Sequence, residues 1–137
     1  MRKLILLAGC VLAACSVSAL ADTRETEAAN LARFQKYAGA PVENFTMWNM
    51  YQWQLLGPDT VAVWTGVNDV YMLKVEQPCI NLENAKAIVV TSKMSHQVNR
   101  RLDFVSFGSQ QCQILEIRPI DYKTMVKTGD GDAIKKR

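Results

Sequence analysis

A chain of 137 residues holds one domain rather than two. Its hydrophobic share of 49% sits heavily in the first 21 residues, and the remainder has an ordinary globular composition, which excludes disordered and fibrous classes. Arg2 and Lys3 are the only charges before Asp22, so without them the formal +3 becomes 14 basic against 13 acidic side chains, and a charge of +1 gives no electrostatic case for nucleic acid or an anionic membrane.

Met1-Arg2-Lys3 forms a short positive segment ahead of an apolar run, Leu4 to Leu12, broken only by Gly9 and Cys10. Ala19-Leu20-Ala21 then has the small-x-small form of a cleavage site. Together they predict an export signal over residues 1–21, with Asp22 as the new N-terminus. The apolar run is too short to span a bilayer core of about 30 Å. Leu12-Ala13-Ala14-Cys15 offers a second cut: as a lipobox it would make residues 1–14 a lipoprotein signal and lipidate Cys15. Leu7-Ala8-Gly9-Cys10 has the same form, but too little apolar run precedes it. The cut after Ala21 is preferred because its leader has the more typical length. It leaves a free periplasmic or secreted domain, whereas lipidation leaves a membrane-anchored one, with the lipid as its only link to the membrane.

Residues 22–137 are expected to fold as one globular domain. A helix is predicted over 22–38, with Asp22 as its cap, Glu25 completing a variant capping box, and Gly39 and Pro41 as stop signals. Ala28, Leu31, Ala32, Phe34 and Ala38 give it an apolar stripe. The period then becomes strand-like. Met50 to Leu56 ends at the Gly57-Pro58-Asp59 turn, and Thr60 to Thr65 alternates, with Val61 and Val63 opposite Ala62 and Trp64. Gly66 to Asp69 is a four-residue hairpin loop, and Val70 to Val75 is the return strand. Ala87 to Thr91 is a short β-branched run, and Leu102 to Phe107 with Cys112 to Ile117 forms a second hairpin. Pro119, which lacks a donor, is expected to end the ladder. Asp121 to Lys127 suggests a last short helix, followed by a frayed tail from Gly129 to the basic run Lys135-Lys136-Arg137. The fold class is therefore mainly β (α+β): an N-terminal helix and an antiparallel meander or partly closed barrel of about five strands.

Of the four cysteines, only Cys79 and Cys112 lie outside the leader. Two thiols in an oxidising compartment with no third competitor predict one disulfide. A redox-active pair is disfavoured, because there is no C-x-x-C and no basic or histidine neighbour to lower a thiol pKa.

One family likeness runs through the strands. It is carried by Trp53, Val63-Trp64-Thr65-Gly66, Tyr71 and Leu73 leading to Pro78-Cys79, Arg101-Leu102-Asp103, Gln111-Cys112-Gln113-Ile114, and Ile117-Arg118-Pro119. The stretch from Trp53 to Ile120 resembles the family called domain of unknown function 6491, small exported proteins of Gram-negative bacteria, many of them predicted lipoproteins. The resemblance implies export and the disulfide, and it implies no activity.

The sequence offers little catalytic chemistry. His96 is the only histidine and sits among Lys93, Ser95 and Gln97, so an exposed position is expected, and no zinc-ligand spacing or glycine-rich phosphate loop occurs. Gly129-Asp130-Gly131-Asp132 lacks the remaining positions of a calcium loop. No cofactor or metal is expected. Arg101 and Asp103, two apart on an expected strand, form either a polar anchor beside Phe104 and Phe107 or, as preferred, a surface ion pair. Trp48, Tyr51 and Trp53 are either core or an exposed binding cluster, with core preferred, and Tyr51 and Trp53 are expected to share a strand face. The leading functional expectation is a non-enzymatic envelope module that binds a small ligand or another envelope protein. The alternatives are a small cell-envelope hydrolase using His96 or a carboxylate pair drawn from Glu76, Glu83 and Asp103, and an interaction module acting through a strand edge.

Overall fold

The computed structural model describes residues 18–131, with side chains from residue 25 on. The positive segment, the lipidation candidate Cys15 and the basic run 135–137 lie outside the described residues.

Helix α1 spans Ser18–Lys36. It starts four residues before the expected cap, so Asp22 lies inside the helix and does not cap it. The stripe is also narrower than expected. Ala28 and Ala32 are exposed, and Leu31, Phe34, Tyr37 and Ala38 make the contact with the body. Hydrophobic stabilisation scales with the apolar area removed from water, so the helix is set to bury Phe34 rather than two alanines. Gly39 serves a close approach: its N–H donates to the Pro119 carbonyl at 2.8 Å, and a Cβ there would stand 3.2 Å from the Pro119 ring.

Eight strands follow: β1 (Asn44–Thr46), β2 (Gln52–Gly57), β3 (Thr60–Trp64), β4 (Asp69–Val75), β5 (Val89–Val90), β6 (Gln97–Asn99), β7 (Phe104–Phe107) and β8 (Gln110–Asp121). Helix α2 (Tyr122–Lys127) closes the order, capped by the Asp121 side chain. Six strands make one antiparallel sheet in the order β2-β3-β4-β8-β7-β5, curled into a half-barrel, while β1 and β6 pair as a separate ribbon. The expected fold class holds, and of its two forms the partly closed barrel is the one seen, with six strands in the sheet where about five were expected. β1, β5 and β6 are two or three residues long, too short to establish a period-2 pattern. β8 pairs with β4, so the chain leaves the sheet after β4 and returns to it.

The alternation in β3 sorts side chains between two cores. Val61 and Val63 enter the concave side with Leu73, Val75, Ile114 and Ile117, where Phe45 of β1 and Val98 of β6 close over them. Ala62 and Trp64 face the other side with Leu56, Val70 and Met72, under Phe34 of α1 and Tyr122 and Met125 of α2. Every residue of β3 is buried, as a strand covered on both faces should be.

Pro119 does not end the ladder: β8 continues to Asp121, and Pro119 pairs with Tyr71. Its carbonyl points away from β4 toward Gly39, and a strand residue directs its nitrogen and carbonyl to the same side. The missing donor therefore falls where no β4 partner waits for it. The tail is also held further than expected. Gly131 N donates to the Met125 carbonyl at 3.0 Å, and Asp130 accepts from the Tyr37 hydroxyl at 2.6 Å. The disulfide Cys79–Cys112 is formed, with the Cα atoms 5.8 Å apart, and ties the segment after β4 to the start of β8.

Candidate functional site

A mainly apolar groove lies where β2 begins and β3 ends. Trp64, the last residue of β3, is the floor, only 5% exposed and held edge-on by Phe34 at 5.9 Å and Tyr122 at 5.6 Å between ring centres. One wall is Tyr51, whose N–H donates to the Trp64 carbonyl at 2.8 Å, and the other is the β3–β4 loop, closed by Thr65 N donating to Asp69 O at 2.9 Å. Gln52, Thr65, Gly66, Val67 and Tyr122 complete a groove of about 470 Å³. Tyr51 is 71% exposed and Val67 83%, so two large apolar side chains stand in water at the lips. Gln52, Thr65 and the two tyrosines bring amide and hydroxyl groups to its lining.

Of the three predicted aromatics, only Trp53 is half-buried against the concave core. Tyr51 and Trp53 do not share a face, because β2 starts at Gln52 and leaves Tyr51 outside the strand. Trp48, 71% exposed, stacks on His96 at 3.9 Å with the planes 27° apart. His96 is exposed and stands with Ser95 at the centre of a tight turn, with φ of 62° and 37°, closed by Gln97 N donating to Met94 O at 2.8 Å. Among the described residues, no carboxylate or hydroxyl side chain hydrogen-bonds to its ring.

The expected strand through Arg101 and Asp103 is a turn. Arg101 is exposed with φ of 65°, and β7 begins only at Phe104. The two side chains do not pair. Asp103 is 0% exposed and accepts from Thr91 Oγ1 at 2.9 Å, Lys93 N at 3.0 Å and Asn99 N at 2.8 Å. It is a structural tie between the segment after β5 and the end of β6, with no exposed oxygen to offer a ligand. Glu76 and Glu83 are exposed, and among the described residues no group of three His, Cys, Asp or Glu side chains is placed to hold a metal.

Val67 and Tyr122 entered the sequence reading only as turn and helix residues, and Trp64 only as a strand residue and part of the family likeness. A usable signal was Val67, an apolar side chain in the otherwise polar loop Gly66-Val67-Asn68-Asp69. Tyr122 reaches the groove through the β4–β8 pairing, which no local pattern encodes.

Fold and site together define a small, mainly β, disulfide-bonded domain with an aromatic-floored groove on the convex side of a half-barrel. A family model described as "Family of unknown function (DUF6491)" matches residues 1–136, and the chain belongs to that family. The match reaches well beyond the stretch from Trp53 to Ile120. No curated protein and no solved structure matches the chain.

Proposed function

We propose that this protein is an exported envelope protein that binds a small ligand with a flat apolar face in the groove above Trp64. The observation that carries the reading is the pair of exposed side chains, Tyr51 and Val67, flanking an almost buried indole. A volume of about 470 Å³ falls in the range of small-molecule sites, roughly 300–1,000 Å³. A protein partner would need roughly 800 Å² of surface on this side, far more than one such groove supplies. A mostly apolar lining that includes a few amide and hydroxyl groups suits an aromatic ring or the flat face of a sugar. The leader motifs support export, to the periplasm by the cut after Ala21 or to a membrane surface through Cys15.

The test is two-dimensional NMR of the protein titrated with indole, phenol and methyl-glucoside fragments. Binding moves amide signals at Tyr51, Gln52, Trp64 to Val67 and Tyr122, and the Tyr51→Ala and Val67→Ser double variant abolishes those movements with the rest of the spectrum intact. Shifts scattered over the surface, or unchanged in the double variant, contradict the reading.

A further inference from the structure

A second cleft, separate from the aromatic groove, opens between α1 and the same face of the sheet. It measures about 400 Å³ and lies over Thr60 of β3, Lys74 of β4, and Glu116 and Arg118 of β8, with Asp59 at one end and Leu31 of α1 along one wall.

The charges here are unevenly spent. Lys74 faces Glu116 directly across the β4–β8 ladder, a position where opposite charges usually meet. Glu116 instead takes its hydrogen bond from Arg118. Lys74 joins no ion pair among the described residues, nor does Asp59. One oxygen of Asp59 is fixed by the Thr60 hydroxyl at 2.9 Å, which leaves its other oxygen as acceptor. The cleft thus holds two unspent charges of opposite sign that do not satisfy each other, plus one internal pair, and its net charge is zero. A net-neutral site selects against simple anions and cations, because each would meet one unspent charge of its own sign. It favours a molecule carrying both charges.

We infer that this cleft binds a small zwitterion, a free amino acid or short peptide, with its ammonium on Asp59 and its carboxylate on Lys74. Met72, 8% exposed at the base, and Leu31 on the wall receive an apolar side chain of that ligand. Both contacts gain from a partly enclosed setting, where charge pairs are screened less than at an open surface. The site is independent of the groove above Trp64, and neither reading needs the other.

The experiment is calorimetric titration of the full protein with leucine and leucyl-leucine, each beside its N-acetyl and C-amide forms. The zwitterions bind, and either cap weakens binding by up to roughly fivefold, the worth of one partly exposed charge contact. Asp59→Asn lowers affinity for the free zwitterion but not for the N-acetyl form, and Lys74→Met lowers it for the free zwitterion but not for the C-amide. Both positions are at least partly exposed, so the variants fold, and a circular dichroism spectrum confirms it. Equal binding of capped and free forms, or no binding of any form at millimolar concentration, overturns the inference. Tyr51→Ala leaves this binding unchanged, which separates its failure from that of the groove.

Discussion

Asp103 is a carboxylate sealed from water, and three donors converge on it. A buried polar group is tolerated only when its hydrogen bonds are complete. Asp103→Ala strands the Thr91 hydroxyl and the Lys93 and Asn99 amides, so it should cost roughly 3 kcal/mol in denaturant unfolding, and Asp103→Asn should cost less by keeping the shape. A loss under about 0.5 kcal/mol, the level of an ordinary surface change, would contradict the role. Two other acids act at the surface. The hydrogen bond from Arg100 holds the Glu43 carboxyl below its usual range, and the Thr124 hydroxyl does the same for Asp121. Both folded-state pKa values lie below the ordinary ones, so this stability is complete above the ordinary carboxylate range and is lost as pH falls through the folded values. Comparing denaturant midpoints between about pH 6 and pH 3, Glu43→Gln should shallow the acid decline, with a deficit present at the higher pH and absent at the lower. A variant that tracks the parent at both ends would rule the contribution out.

At the scale of elements, Phe34 is the fully buried anchor of α1, and Trp64 is what it holds. Phe34→Ala should cost about 3–5 kcal/mol and raise hydrogen exchange through residues 25–36, whereas Ala28→Ser should change stability by less than about 0.5 kcal/mol. Equal effects would mean that the helix packs on its alanines after all. The Cys79–Cys112 bond closes a separation of 33 residues, for which the chain-entropy model gives about 4 kcal/mol, so the double serine variant should lose about that much in chemical denaturation. These elements also mark what the sequence made legible. β3, β4 and the β7–β8 hairpin were readable because alternation and turn chemistry are local. The ribbon of β1 and β6 was not, since three residues carry no period and Phe45 is fixed by stacking on Tyr71 at 4.2 Å, a contact across the chain. Pro119 misled for a related reason: a missing donor matters only on the side where a partner strand waits, and that side is set by tertiary pairing.

For the whole molecule, the consequence is a sheet with two differently used faces. The concave face is closed by its own ribbon and disulfide-linked segment and serves stability. The convex face is covered only in part by α1 and α2, and both open clefts lie along it, one lined with aromatics and one with charges. The candidate site was therefore half legible: Tyr51 could be singled out as an aromatic in a cluster, but Trp64, Val67 and Tyr122 meet it only through the order of strands. Such an arrangement would suit the proposed binding role, with a stapled interior and open clefts on the side where loops and helix ends leave gaps.

Native mass spectrometry of the protein recovered from its host's envelope tests this account most directly. The account predicts a chain that begins at Asp22, or at an acylated Cys15, lighter than the reduced form by the two hydrogens of the closed Cys79–Cys112 bond. It also predicts a small non-covalent adduct that disappears in the Tyr51→Ala and Val67→Ser double variant. A full-length chain beginning at Met1, with both thiols reduced and no adduct, would contradict it.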